Sequence, residues 1–316
     1  MIRCAAYAPH LGAAIGAALM AAAALAFSAG AGPVHEGYDA APMIGMALAQ
    51  TPVSPPVSGT PAADDALGAG AHARAQSVAH QPADPAPTHR PMLAIIMDDV
   101  GPDIAVARRL MALDPPVTLA ILPYAAAAPV LAQEAAQADR EVFVHLPMEP
   151  GGLDDPGPWA LSRAHDDQAV AERVRWAFAR VPGAAGFNNH MGSGFTSDAL
   201  AMARVFAALA GSEALVFVDS LTGPRSVAAR SARDAGFPAL RRDVFLDTDR
   251  DEGAIAARLE DALALAASRG HAIAIGHPYA ETLAVLETLA ERAEAHGVEI
   301  VTVRALAQAR GARAPS

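Results

Sequence analysis

Past Arg90 the chain alternates short apolar runs of strand length with amphipathic stretches of about 12 to 18 residues, the period of helices. Strands are expected near 92–97, 117–122, 141–146, 184–189, 214–218, 243–246, 271–276 and 298–303, with helices between them. The clearest helix is 251–269, where Ile255, Leu259, Leu263 and Ala266 make one apolar stripe and Gly270 supplies a left-handed stop. A second, 280–296, repeats the design with Leu283, Leu286 and Leu289 and ends at Gly297. Seven or eight strand–helix units predict an α/β fold, a (β/α) barrel of parallel strands with room for one irregular or missing unit. A doubly wound open sheet is the rival, but no Gly-x-Gly-x-x-Gly follows the first strand. Asp98-Asp99-Val100-Gly101 occupies that turn, which argues against a dinucleotide site.

The segments before the barrel read differently. Arg3 precedes a weakly apolar run from Leu11 to Phe27 and the small residues Ser28-Ala29-Gly30-Ala31, so 1–31 is expected to be a secretory signal or, uncleaved, a membrane anchor. Either way the bulk of the chain is expected to be exported, touching a membrane only through that segment. From 32 to 90 the chain is rich in Pro, Ala and Gly without a periodic apolar face. It is expected to be a disordered linker in which His72, His80 and His89 are scattered and solvated. The folded domain is then 91–310, and 311–316 a tail.

Composition narrows the chemistry. The chain has 316 residues, 53% of them hydrophobic, enough for a sizeable core. It contains no lysine, which excludes a lysine Schiff base and a Walker-type phosphate lysine. Formal net charge is −11, and an acidic surface poor in aromatics argues against nucleic acid as a partner. Cys4, the one cysteine, precedes the apolar run, so the domain has no thiolate metal site or cysteine nucleophile. No Gly-x-Ser-x-Gly is present either.

Four polar clusters sit where apolar runs stop: Asp98-Asp99-Val100-Gly101, His145-Leu146-Pro147-Met148-Glu149-Pro150, Asn188-Asn189-His190-Met191-Gly192-Ser193 and Gly276-His277-Pro278. If the strands run parallel, these groups gather on one rim. Adjacent carboxylates repel unless a cation or proton relieves them, which suits Asp98 and Asp99 to the roles of base and metal ligand, unless one only caps the next helix. His145 and His190 are ligand candidates, and Glu149 a further one, although Pro147 and Pro150 rule out regular helical spacing between His145 and Glu149. His277 could act as general acid or serve as a structural histidine. Asn188 and Asn189 could orient an imidazole or bind sugar hydroxyls, and Ser193 lies where backbone amides could approach an oxyanion. Asp219-Ser220 and Asp247 also end strands and could orient a histidine or cap a helix. Trp159 could stack on a sugar or pack its own loop. Nitrogen and oxygen ligands without thiolate suit zinc or another divalent first-row ion.

These pieces, with Pro116-Val117-Thr118-Leu119-Ala120-Ile121-Leu122-Pro123-Tyr124, resemble in order the polysaccharide deacetylase superfamily, and more closely its divergent branch of exported bacterial proteins. The resemblance implies a distorted (β/α) barrel of seven to eight parallel strands. It also implies a periplasmic or envelope location and a divalent ion, zinc foremost, held by one Asp and two His to remove acetyl groups from a glycan. Carried over, Asp98 would be the base, Asp99 a ligand and His277 the general acid. The departure is in the second motif, where the family has two His four residues apart and this chain has His145 and Glu149. Either Glu149 substitutes, or His190 completes the ligand set. The reading is therefore an exported metal-dependent hydrolase of an envelope polysaccharide or peptidoglycan-like glycan, most simply a deacetylase. The alternatives are a non-catalytic glycan- or partner-binding module with a degenerate site, and a metal-dependent phosphoester hydrolase, which the lack of lysine disfavours.

Overall fold

The structure is a computed structural model that describes residues 90–212 and 214–311. The expected signal segment 1–31, the linker up to residue 89 with its three histidines, and 312–316 lie outside the described residues. Among these residues nine strands are joined mostly by helices. The strands are β1 Met92–Val100, β2 Thr118–Ile121, β3 Val142–Met148, β4 Gly186–Met191, β5 Val216–Asp219, β6 Ala239–Arg241, β7 Val244–Phe245, β8 His271–Gly276 and β9 Glu299–Ile300. The helices are α1 Ile104–Met111, α2 Ala128–Gln137, α3 Asp167–Arg180, α4 Ala199–Ala208, α5 Ala228–Asp234, α6 Glu252–Arg269, α7 Ala280–Leu286, α8 Leu289–Ala295 and α9 Val303–Gly311. Every ladder is parallel, which is why helical crossovers separate most strands.

The sheet runs β6-β5-β4-β3-β2-β1-β8-β7, with β9 paired to the start of β1, and curls into the distorted α/β barrel that the sequence predicts. No ladder joins β6 to β7. The chain itself crosses that seam at Arg242-Asp243: the Arg242 amide donates to Asp219 O on one side and the Asp243 amide to Ile273 O on the other. Side chains alternate along each strand, so the sheet carries two cores. Leu93, Ile95, Val144, Phe187 and Phe217 face the surrounding helices, while Ala94, Ile96, Phe143, Val218, Ile273 and Ile275 face inward. The inner cluster is completed by Val303 and Leu306, so α9 closes the barrel end that lies at the strand N-termini.

Three expected boundaries move. β6 was not expected, because three residues with one buried side chain, Leu240, leave no apolar run to read. The expected helix 280–296 is two, because the Thr288 hydroxyl donates to Val285 O and competes with the helical ladder. The expected strand 298–303 shrinks to β9, since the Glu141 carboxylate accepts from the amides of Val303 and Arg304 and turns the chain into α9. The stop at Gly270 is as expected, with φ of 83°.

Candidate metal centre and its acid–base neighbours

The inward face of each strand changes from apolar to polar at its C-terminal end. Met92, Ala94 and Ile96 lead to Asp98, Phe143 leads to His145, Gly186 to Asn188 and His190, and Ile273 and Ile275 to His277. Strand alternation alone would send Asp99 away from Asp98. It does not, because β1 carries a bulge: Met97 pairs with Leu119 but Val100 with Ile121, one residue too many, and Asp99 sits in the left-handed region at φ 55°. The bulge re-aims Asp99 so that both carboxylates serve the same site.

Three donor atoms from three strands meet there. Asp99 Oδ1 lies 3.3 Å from His145 Nε2 and 2.9 Å from His190 Nδ1, and the two ring nitrogens are 3.2 Å apart. These three residues form a group able to hold a metal ion. The donor set fits one: Asp99 Oδ1 is buried without a hydrogen-bond partner, and a carboxylate with two imidazoles is the chemistry of zinc and its neighbours. Asn188 prepares His145 for it. Its Oδ1 is 2.8 Å from His145 Nδ1, which places the ring proton on that side and leaves the Nε2 lone pair facing Asp99 and His190. The Asn188 amide donates in turn to Asp98 Oδ1 at 2.7 Å and Ser220 Oγ at 3.1 Å.

The environment sorts the two aspartates. Burial pushes the Asp98 carboxyl up, against the opposing pull of His145 and His277. Burial acts on Asp99 too, but the close His145 and His190 imidazoles outweigh it and hold Asp99 far below the ordinary carboxylate range. Asp98 is thus the better proton acceptor, Asp99 the permanent anion. Around His145, burial works against the protonated ring, and Asp98 and Asp99 more than offset it.

His277 approaches from β8, with Nε2 3.9 Å from Asp99 Oδ2. Its Nδ1 is 3.0 Å from Asp247 Oδ1, while Asp247 Oδ2 accepts from the His277 amide at 2.5 Å and from Thr282 Oγ1 at 2.9 Å. Burial lowers the imidazole pKa, but the Asp247 hydrogen bond and the surrounding carboxylates outweigh it, and the group is pushed up to about 9. That shift favours the protonated ring.

Other expected residues are placed elsewhere. Glu149 is turned away from the triad: its carboxylate accepts from Ser162 Oγ at 2.7 Å and the Arg163 amide at 2.8 Å, and pairs with the Arg163 guanidinium. It staples the loop after β3, because Pro147 and Pro150 fix that turn and Arg163 offers a bidentate partner. Ser193 Oγ accepts from the Gly151 amide, and Asn189, on the outward side of β4, ties Met191 O to the Ser220 amide. Asp219 accepts from the Leu221 amide and Ser226 Oγ and touches no histidine of the site. Trp159 stacks on Trp176 of α3 at 5.0 Å, so its ring packs the loop onto that helix, with 43% of the residue still exposed. Tyr124 was not expected as a site residue; its ring meets His190 edge-on at 6.4 Å. Its place after Pro123 at the end of the second strand was the available signal.

The curled parallel α/β sheet thus brings one Asp and two His together at its C-terminal rim, a donor set able to hold a divalent metal ion. The model of the divergent polysaccharide deacetylase family matches residues 95–307, and the chain belongs to that family. Among curated relatives, the uncharacterized protein YibQ of Escherichia coli (strain K12) is 34% identical over 197 residues, 62% of this chain and 61% of that protein. An uncharacterized protein of Haemophilus influenzae is 35% identical over 195 residues, 62% of this chain and 69% of that one. The aligned part thus spans about three fifths of the first relative's length. In three dimensions the chain is similar to the crystal structure of the uncharacterized protein ATU2773 from Agrobacterium tumefaciens C58. The TM-score is 0.66 at 25% identity, covering 71% of this chain and 92% of that one.

Proposed function

We propose that the protein is an exported, metal-dependent deacetylase of an envelope carbohydrate, a polysaccharide or peptidoglycan-like glycan, working with zinc. The observation that carries this reading is the meeting of Asp99 Oδ1, His145 Nε2 and His190 Nδ1 within 3.3 Å of one another, flanked by a second carboxylate and a charged imidazole. A divalent ion held by these three residues would polarise the acetyl carbonyl and acidify a water molecule.

The chain's own groups handle the protons. Asp98, raised by burial and anchored by Asn188, takes the proton of the attacking water. The water oxygen joins the carbonyl carbon, the carbon–nitrogen or carbon–oxygen bond breaks, and His277 protonates the departing amine or alkoxide from Nε2. Asp247 holds Nδ1 and so keeps that proton on the side of the site. Acetic acid and a free amine or hydroxyl leave: one proton moves from His277 to the leaving group, Asp98 gains one from water, and water's other proton stays on the acetic acid until it is lost to solvent as acetate forms.

The test is metal analysis of the purified chain followed by acetate release from acetylated glycans. The expected result is one zinc per chain and acetate release that Asp99→Asn and His190→Ala both abolish. No bound divalent ion overturns the reading, and cellular function that survives both substitutions points to a binding module instead.

A further inference from the structure

Away from the metal centre, α4 turns an apolar face to solvent with a groove on either side of it. One groove, about 410 Å³, lies between α4 and α5, where Ala203, Ala207 and Ala210 face Ser231 and Ala235. The other, about 390 Å³, lies between α3 and α4 and is walled chiefly by Ala171, Leu200, Ala203 and Ala207. Ala203 and Ala207 are exposed on the ridge between the two, and Leu200 stands 62% exposed at the end nearest the rim. The helix is already held from behind by Met202, Val205 and Phe206, so folding does not require this outer face. One helix over, Arg230 and Asp234 of α5 are exposed one turn apart, and neither carries an ion pair among the described residues.

A projecting side chain and a hollow on one face complement each other when a second copy turns over onto the first. A two-fold axis in the plane of this face, perpendicular to α4, lays two copies of the helix antiparallel and sets α3 against α3 and α5 against α5. Centred between Ala203 and Ala207, it brings Ala203 of each copy against Ala207 of the other, side chains small enough for the helix axes to approach to about 8 Å. Leu200 then lies over the Ala207–Ala208 end of the second copy's α3–α4 groove, the end that copy's own Leu200 leaves open. On α5, whose Ser231 and Asp234 stand level with Ala203 and Ala207, the same rotation carries each Arg230 to the other copy's Asp234. A ten-residue helix is about 15 Å long and three packed helices about 30 Å wide, so the contact would bury about 450 Å² on each copy. The total, about 900 Å², sits just under the roughly 1,000 Å² of a stable interface and makes the association reversible.

We infer that the protein self-associates through the outer face of α4 into a reversible two-fold dimer that dissociates in the micromolar range. Because α4 runs from the rim back to the far end of the barrel, antiparallel pairing points the two rims in opposite directions. The dimer thus presents one metal centre at each end and covers neither, since no residue of the contact belongs to the donor triad.

The experiment is sedimentation velocity of the full chain over a concentration series, for the wild type, Ala207→Glu, Arg230→Asp and the double reversal Arg230→Asp with Asp234→Arg. All three positions are exposed, so the fold is kept, and circular dichroism checks it. The expected result is a monomer–dimer equilibrium whose Kd rises at least about 10-fold in Ala207→Glu, which buries an unpaired carboxylate on each copy. Arg230→Asp should raise Kd less, and the double reversal should return it to the wild-type value. A dimer that Ala207→Glu leaves intact overturns the inference, because the copies then meet elsewhere, as through the apolar run from Leu11 to Phe27. A double reversal that restores nothing overturns the two-fold pairing. A wild-type chain that stays monomeric throughout also overturns it, and thiol labelling of Ala203→Cys in a Cys4→Ser background then identifies what the face serves. Slow labelling means that the chain's own N-terminal segment covers it, and fast labelling leaves it open to a different protein.

Discussion

At the scale of single residues, Asn188 does more than any group outside the donor triad. It fixes the tautomer of His145 and at the same time holds Asp98, so one amide aligns a ligand and the base. Replacing it with Ala leaves His145 Nδ1 and Asp98 Oδ1 buried without that partner. Asn188→Ala should therefore weaken zinc binding about 10- to 100-fold, as loss of a supporting hydrogen bond behind a ligand generally does, and competition with a chelator measures it. The sequence shows Asn188 and Asn189 as equals; only strand alternation separates them, one facing the site and the other the loops. Glu149 illustrates the limit from the other side. The family pattern of two His four residues apart drew it toward the metal, and that pattern does not contain Arg163, fourteen residues on, whose guanidinium claims the carboxylate.

At the scale of elements, the strands that build the rim are legible because each inward face is apolar until its last one or two residues. His145, His190 and His277 could be placed from that pattern alone. The bulge in β1 was not legible: nothing in Asp98-Asp99-Val100-Gly101 announces that the extra residue is Asp99 rather than Gly101, which also has positive φ. Nor was β6, too short to carry a period. A glycine inside β4 shows how tightly these elements close. A Cβ on Gly186 would lie 2.2 Å from Val216 O and 2.6 Å from Phe143 Cζ, so neighbouring backbone would have to move. Gly186→Ala should cost about 3 kcal/mol, or roughly 6 to 12 °C in Tm, followed by thermal unfolding. Because β4 carries Asn188 and His190, zinc affinity should fall with it.

At the scale of the whole molecule, chemistry and stability occupy opposite ends of the barrel. The strand C-termini hold the charged groups, while α9 seals the other end with Val303 and Leu306. Glu141 locks that seal, accepting from the Val303 and Arg304 amides and from Thr118 Oγ1. Glu141→Ala should cost about 1 to 2 kcal/mol, the usual worth of a helix N-terminal cap, and speed hydrogen exchange in α9. Zinc affinity should stay as it was, since no donor lies at that end. Among the described residues no helix is long and apolar enough to cross a membrane.

The seam between β6 and β7 has a mechanical consequence. Adjacent residues Arg242 and Asp243 hydrogen-bond to opposite edges, Asp219 O on β5 and Ile273 O on β8, so a covalent link rather than ladder rungs fixes the distance between those edges. Asp247, which steadies His277, stands a few residues past that line. The residue that holds His277 thus follows directly on a backbone tether anchored to both edges of the sheet.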